Sequence, residues 1–293
     1  MSLATVDEQA RLVYLQWKDL YTKEKPFQVF ANVPAGSDEK LTNLVFEPGP
    51  PVTIHDLRGH EDGFSLDGNG FTVIRDEMPG SYDLDSRECM KNDVVPYLED
   101  LVKRHVEGAD FVRCFDWGFR KNVDMSVVKM DVNDKMQVLN PGKQVHCDQS
   151  PTGALGRLNN HAPEMRDKAK KGRLRIINMW RPLYHPAKDN TLAVCDGSTI
   201  DTSDLVEADH ISTTYLGSTM YGLYSSNQRW HYLRNQTPEE VFLIKIFDSN
   251  FQVAAKCSLH AAFDCTKVDQ DALPRESMEM RFIVVSVPHD GED

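Results

Sequence analysis

The sequence predicts a mainly β protein built on a double-stranded β-helix (a jelly roll, cupin-like) with flanking helices. The prediction depends on two observations. From Phe111 onward, short runs rich in β-branched and aromatic residues follow one another, separated by turn residues. Only one helical, basic insert interrupts them, over Ala162–Lys171. A row of eight or more strands with a single inserted helix is typical of a closed or double-sheet β core.

The elements follow in chain order. A single catalytic domain is predicted over residues 1–293, in which residues 1–110 form an N-terminal helical and strand elaboration and residues 111–293 the jelly-roll core. A helix is predicted from Glu8 to Tyr21, a strand at Phe71–Ile74 and an amphipathic helix at Val94–Val106. The core strands are predicted at Phe111–Phe115, Val127–Met130, Lys143–Cys147, Leu174–Trp180, Thr191–Cys195, Thr213–Leu216, Met220–Tyr224, Glu240–Phe247, Lys256–Phe263 and Ser277–Val287.

Charge and composition exclude several classes of protein. The chain has 293 residues with 33 Lys and Arg against 45 Asp and Glu, a formal net charge of −12. Such a surface argues against binding nucleic acid or an anionic membrane. No apolar run is long enough to span a bilayer, and the first residues do not resemble a signal peptide. The six cysteines are widely spaced, so we expect free thiols in the cytoplasm.

The sharpest local feature is the segment that contains His146 and Asp148. In a strand, residues i and i+2 point to the same face, so both side chains can point into the mouth of a barrel while Cys147 faces away. An imidazole and a carboxylate on one face are two of the three ligands of the 2-His-1-carboxylate triad, which binds non-haem Fe(II) and leaves positions open. Such a pair is common by chance, so the interpretation needs a second histidine on a later strand.

His260, on the next-to-last predicted strand, is the preferred third ligand, because the final strand then opens with a cation. There Arg275 and Ser277 lie two residues apart, and a guanidinium with a neighbouring hydroxyl suits the distal carboxylate of 2-oxoglutarate. His231 stays open as the alternative ligand. Arg281 or Lys245 stays open as the alternative cation, and Arg181 is a further candidate for the cosubstrate site.

These motifs resemble the fungal gibberellin-desaturase-like family of Fe(II)/2-oxoglutarate oxygenases. That family includes the hydroxylase of the aspergillic acid cluster and the endoperoxide-forming oxygenase of novofumigatonin (meroterpenoid) biosynthesis. The resemblance covers roughly Asp56 to Val285 and rests on segments 146–150, 177–183, 191–196, 237–245, 247–249, 259–263 and 274–281. The sequence departs from the family pattern at Gln228, where relatives often have a histidine; here the histidine is at position 231.

The resemblance implies an enzyme that oxidises a small secondary metabolite with Fe(II), 2-oxoglutarate and molecular oxygen. Hydroxylation, desaturation and endoperoxidation are all compatible with it. The expected substrate is apolar, such as a terpenoid or meroterpenoid, and a homodimer is possible. Two rival functions remain at this stage. One is a metal-assisted jelly-roll isomerase or cyclase without oxygen chemistry, and the other is a non-catalytic ligand-binding barrel.

Overall fold

The structure is a computed structural model that describes residues 6–30, 40–122, 134–212, 216–266, 268 and 271–288. Within these residues the strands are β1 (Glu8–Ala10), β2 (Val13–Leu15), β3 (Phe27–Phe30), β4 (Phe46–Pro48), β5 (Val52–Asp56), β6 (Phe71–Arg75), β7 (Phe111–Lys121), β8 (Val138–Leu139), β9 (His146–Cys147), β10 (Arg173–Pro182), β11 (Thr191–Cys195), β12 (Leu205–Ser212), β13 (Leu216–Gly222), β14 (Trp230–Tyr232), β15 (Glu240–Asp248), β16 (His260–Phe263) and β17 (Glu276–Ser286). The α-helices are α1 (Leu66–Asn69), α2 (Arg87–Cys89), α3 (Val95–His105), α4 (Pro151–His161) and α5 (Arg166–Lys171).

Two large sheets form the body of the protein. One has the order β1-β5-β14-β11-β16-β9-β13-β12-β3, and the other has the order β6-β15-β10-β17-β7-β8. At their centres lie two four-stranded antiparallel groups, β14-β11-β16-β9 and β15-β10-β17-β7. From β7 to β17 the strands of these groups alternate between the two sheets, except that β11 and β14 follow one another in the same sheet, which is the strand arrangement of a jelly roll. The predicted fold class is therefore confirmed.

The core is divided by the six-stranded sheet. On its inner face, residues such as Ile176, Phe242 and Ile283 pack against residues of the nine-stranded sheet, such as Ala193 and Ala261. The outer face buries a second apolar layer against α3. Because burial on both faces fixes which way each side chain of β10 and β17 points, the two strands hold their polar residues in defined positions.

The helix predicted from Glu8 to Tyr21 is wrong. This segment forms β1, β2 and a 3-10 turn at Asp19–Thr22. The backbone of β1 pairs with β5 and that of β2 with β4, so its hydrogen-bond partners lie some forty residues away. The buried residues Leu12 and Leu15 fit a helical spacing as well, and only the distant strands decide against it.

Most other predicted elements are present with changed bounds. The strands β6 and β11 and the helix α3 are confirmed, whereas β9 and β16 are shorter than predicted and β7 is longer. The predicted insert at residues 162–171 holds only for α5, because α4 already begins at Pro151. The predicted strand at 127–130 lies outside the described residues, as does all of 213–216 except Leu216, where β13 begins. The strands β12 and β14 were not predicted.

Two further findings concern the chain as a whole. None of the helices in the described ranges is both long and apolar enough to cross a membrane. All six cysteines are free thiols.

Before residue 110, β5 and β6 extend the two jelly-roll sheets, where they pair with β14 and β15.

Candidate active site

Three of the predicted site residues meet between the two sheets. His146 on β9 lies directly opposite His260 on β16, and the two ring centroids are 4.4 Å apart. Asp148 follows β9, with its Oδ1 3.5 Å from Nε2 of His146. One ligand atom from each of His146, Asp148 and His260 lies within 4.8 Å of the others. The structure thus brings together two imidazoles and a carboxylate, the donor set that the sequence analysis proposed.

The surroundings of the two histidines leave one ring nitrogen of each available. Nδ1 of His146 lies 2.7 Å from the backbone oxygen of Gln144, and Nδ1 of His260 lies 3.5 Å from that of Ser258. A backbone acceptor at Nδ1 favours a proton there, so Nε2 is the atom of each ring that can bind a metal. Nε2 of His260 is buried and has no hydrogen-bond partner among the described residues. A buried acceptor without a partner is costly, so these residues fit a bound cation.

Asp148 is held in its ionised form. Its Oδ2 accepts hydrogen bonds from Nδ2 of Asn178 at 2.5 Å and from Nε of Arg281 at 2.9 Å. Burial alone would raise the pKa of Asp148, but the charge of Arg281 and the hydrogen bond from His146 hold it well below its usual range. In His260, burial and the charge of His146 lower the pKa to about 3. Although burial alone would lower it, contact with Asp148 raises the pKa of His146, so a metal competes with a proton at His146 but not at the neutral His260.

The alternative ligand, His231, lies elsewhere. On β14 it packs among aromatic rings, with centroids 4.9 Å from Phe64 and 5.8 Å from Phe71, and 5.7 Å from His55. Burial lowers its pKa to about 4. The structure does not bring His231 together with His146 and Asp148.

A second group of polar atoms lies at the start of β17. Arg275 is 2% exposed, Ser277 is 1% exposed, and neither Nε of Arg275 nor Oγ of Ser277 has a hydrogen-bond partner among the described residues. The guanidinium of Arg275 lies over the Trp180 ring, 5.4 Å from its centroid, and donates to the backbone oxygen of Asn190. Burial, followed by the charge of Arg120, lowers the pKa of Arg275 to about 9. These donors are suited to a carboxylate that the protein itself does not supply.

Two residues of this group were not found from the sequence. Arg120 on β7 lies opposite Ser277 on β17, which places a second guanidinium at the same end of the sheet. Asn190 has a φ of 45°, in the left-handed region that asparagine tolerates better than most residues, and its carbonyl accepts from Arg275. A pattern of residue types shows neither the conformation of a turn nor the partner of a strand, so it did not point to these two residues.

Three other cationic residues that the sequence offered for the cosubstrate site form ion pairs within the protein. Arg181 points away from the triad, into an ion pair with Asp76 at 2.8 Å, since it alternates with Trp180 along β10. Nζ of Lys245 lies 2.6 Å from both Asp67 and Asp248. Arg281 binds the carboxylate of Asp148. The structure therefore does not bring Arg181 or Lys245 into the site, and it places Arg281 beside the candidate metal ligands.

A cavity of about 610 Å³ opens beside the triad. His146, Asp148 and Arg281 lie at its base. The strands β3 and β4 and their flanking residues supply an apolar wall through Phe30, Leu44 and Phe46, and β13 supplies Tyr221. Its size is that of a typical small-molecule site. The N-terminal residues that were predicted as an elaboration thus form part of the cavity.

Comparisons with known proteins point to one kind of chemistry. A family model described as an oxidoreductase/YMDC permease-like domain matches residues 12–285. The Fe(II)/2-oxoglutarate-dependent dioxygenase nvfI of Aspergillus novofumigatus is 30% identical over 282 residues, which are 94% of this chain and 96% of that relative. The hydroxylase/desaturase poxK of Penicillium oxalicum is 27% identical over 297 residues, 91% of this chain and 88% of that relative.

A solved structure agrees with the sequence relatives. The iron and alpha-ketoglutarate-dependent endoperoxidase NvfI matches with a TM-score of 0.80 and 28% sequence identity. The match covers 97% of this chain and 99% of that chain.

Proposed function

Since the chain belongs to the Fe(II)/2-oxoglutarate-dependent dioxygenases, we propose that His146, Asp148 and His260 hold its iron and that Arg275 and Ser277 hold the distal carboxylate of 2-oxoglutarate. The observation that carries the first assignment is the meeting of three ligand atoms within 4.8 Å at a cavity. The second is supported by a buried guanidinium without a carboxylate partner and a buried hydroxyl without a hydrogen-bond partner among the described residues.

The enzyme uses Fe2+, 2-oxoglutarate and molecular oxygen to oxidise a small molecule of fungal secondary metabolism, as its relatives do. When bound, the iron and the cosubstrate supply the oxidising power, and the protein supplies orientation and a dry pocket. This chemistry is favoured over the oxygen-independent isomerase or cyclase and over the non-catalytic barrel.

The residues of this chain have distinct roles in the proposed site. Asp148 offers Oδ1 to the metal because Asn178 and Arg281 both donate to its Oδ2. His260 stays neutral because it is buried, so protons do not compete for its Nε2 near neutral pH. Arg275, which is buried beside the Trp180 ring, gains a counter-ion when a carboxylate binds, and Ser277 adds a hydroxyl donor.

The apolar wall of the cavity supports an apolar substrate, such as a terpenoid or meroterpenoid. The names of the relatives include a hydroxylase/desaturase and an endoperoxidase. Hydroxylation, desaturation or endoperoxidation by this chain then depends on how the cavity holds the carbon skeleton, and not on the metal ligands. The six free thiols support a cytoplasmic location, and a homodimer stays a prediction that sedimentation velocity tests.

The decisive experiment is an anaerobic titration of the protein with Fe(II) and 2-oxoglutarate. We expect wild type and His231→Ala to develop the charge-transfer band of the chelate, and His260→Ala not to develop it. Loss of the band in His231→Ala alone, or in neither variant, means that the proposed triad is wrong. Thermal unfolding of each variant shows whether it is folded.

Oxygen chemistry has a separate test. With Fe(II), ascorbate and 2-oxoglutarate, we expect wild type to form succinate and His146→Ala and Asp148→Ala to form none. Equal succinate formation by wild type and both variants contradicts the proposed metal site.

A further inference from the structure

A chain of hydrogen bonds on the cavity wall ends at a candidate metal ligand. The hydroxyl of Thr219 donates to the backbone oxygen of Asp148 at 3.1 Å. Nδ1 of His210 lies 3.3 Å from the same Thr219 oxygen, and Nε2 of His210 lies 3.0 Å from the hydroxyl of Tyr221. All four residues line the cavity beside the triad.

The carbonyl at one end fixes the direction of the two bonds of Thr219, and a neutral imidazole then fixes the direction of the bond between His210 and Tyr221. A carbonyl only accepts, so the single proton of Thr219 is used there, and its oxygen accepts from Nδ1 of His210. Burial lowers the pKa of His210 to about 4, so the imidazole is neutral and its other nitrogen, Nε2, carries a lone pair. Nε2 therefore takes the proton of Tyr221.

The phenol of Tyr221 is thereby left with acceptor capacity only. A phenol is protonated near neutral pH, so the hydroxyl has one proton and that proton stays on the bond to His210. Tyr221 lies directly opposite His146 across the strands β13 and β9, so the two side chains leave the sheet on one face. The oxygen of Tyr221 thus offers lone pairs in the same cavity as the candidate iron ligands.

Aromatic neighbours hold both rings in place. The Phe46 ring packs edge-on against Tyr221 with centroids 4.9 Å apart, and the Phe30 ring packs edge-on against His210 at 5.1 Å. A polar acceptor whose ring is held in place discriminates strongly between ligands that can and cannot pair with it.

We propose that the Tyr221 oxygen accepts a hydrogen bond from a hydroxyl or N–H group of the substrate, and that the substrate therefore carries such a donor. The inference rests on the proposed function only in assigning this cavity to the substrate. The direction of the hydrogen-bond chain does not depend on metal.

The first test measures that direction. Long-range 1H–15N correlation spectra of the metal-free full chain are expected to show His210 protonated at Nδ1. A proton on Nε2 instead overturns the proposal, because Tyr221 then has its own proton free for the cavity. The measurement needs no iron and no turnover, so it stands or falls separately from the proposed function.

The second test uses two probes with one carbon skeleton, borneol, which has a hydroxyl donor, and camphor, which has only a carbonyl acceptor. Ligand-detected NMR on the metal-free chain is expected to show that wild type binds borneol at least tenfold more tightly than camphor. Tyr221→Phe is expected to lose this preference. The control Tyr224→Phe, at a half-exposed tyrosine outside the cavity lining, is expected to keep it.

A third variant makes the test sharper. Thr219→Val removes the acceptor at Nδ1, so His210 is free to carry its proton on Nε2 and the phenol of Tyr221 to donate into the cavity. We expect its preference to reverse in favour of camphor. Equal or undetectable binding of both probes to wild type, or a preference that survives Tyr221→Phe, overturns the proposal.

Discussion

Two arginines, the partly buried Arg281 on β17 and the buried Arg275 just before it, have opposite surroundings. Arg281 forms ion pairs with Asp148 and Asp116 at 2.9 Å and with Glu279 at 2.8 Å. Arg275, six residues earlier, has no carboxylate of the described residues within ion-pair distance, and its one hydrogen bond goes to the backbone of Asn190. One guanidinium is surrounded by internal anions, and the other has none.

The difference distinguishes an arginine with a structural role from one that is suited to binding a ligand. A buried charge is costly unless it is paired, so a cation with three carboxylates is part of the internal architecture. A cation kept buried without an anion stores that cost until a ligand supplies one. By this reasoning Arg281 orients Asp148, whereas Arg275 is the residue proposed above to bind the carboxylate of 2-oxoglutarate.

Arg281→Gln is expected to lower the free energy of unfolding of the metal-free protein by about 3–5 kcal/mol, because it leaves buried carboxylates without their cation. Urea denaturation measures the change. The control Arg104→Gln removes an exposed ion pair with Asp100 and is expected to cost less than about 1 kcal/mol. A similarly small loss in Arg281→Gln contradicts the architectural role.

Arg275→Gln is expected to raise the Kd for 2-oxoglutarate about 100-fold, since a buried charged hydrogen bond to a carboxylate is lost. Its unfolding midpoint should not fall, because the removed charge had no internal counter-ion. The anaerobic charge-transfer titration and thermal unfolding measure the two quantities.

Arg181→Gln is the matched control for this change. It leaves the buried carboxylate of Asp76 without its ion-pair partner and is expected to reduce stability while the affinity for 2-oxoglutarate is kept. The reverse pattern in the two variants would assign the cosubstrate to Arg181.

Buried bases without a counter-ion also predict a pH dependence. The pKa of His231 is lowered to about 4 by burial and by the charge of His55, against about 6.5 in the unfolded chain. Between these pH values the unfolded state binds more protons than the folded state. The free energy of unfolding is therefore not reduced by His231 above pH ~6.5, and it falls as the pH drops towards 4. His231→Phe is expected to reduce this fall by about 2 kcal/mol in denaturation at pH 7 and pH 4.5. An unchanged pH profile contradicts it.

Ser277→Ala is expected to have the smallest effect, a rise of about fivefold in the Kd for 2-oxoglutarate with unchanged stability, because its hydroxyl has no internal partner. Ser258→Ala is the counterpart. The hydroxyl of Ser258 donates to the backbone oxygen of Cys195 at 2.7 Å, so the free energy of unfolding should fall while the Kd for 2-oxoglutarate stays unchanged. If both variants behave alike, the hydroxyl of Ser277 is not reserved for a ligand.

The sequence predicted site residues best where their spacing matches the two-residue period of a strand. The spacing of His146 and Asp148 and of Arg275 and Ser277 follows from the alternation of a strand, so both pairs could be predicted to share a face. The helix at residues 8–21 was wrong because the partners of β1 and β2 lie far along the chain. The cavity wall at Phe30 and Phe46 escaped for the same reason, since β3 reaches the site by pairing with β12. The same alternation explains why Arg181 lies outside the site: it points to the face of β10 opposite to that of Trp180.

The strand β3 is the outermost strand of the nine-stranded sheet, yet it carries part of the cavity wall. Besides its pairing with β12, its backbone bonds among the described residues go to the short segment 41–43, so changes there disturb few other residues of the sheet. The proposed iron ligands and this part of the cavity wall thus lie on different strands. Substitutions at Phe30, Leu44 or Phe46 are therefore expected to change which small molecules the cavity accepts and to leave the geometry of the triad in place.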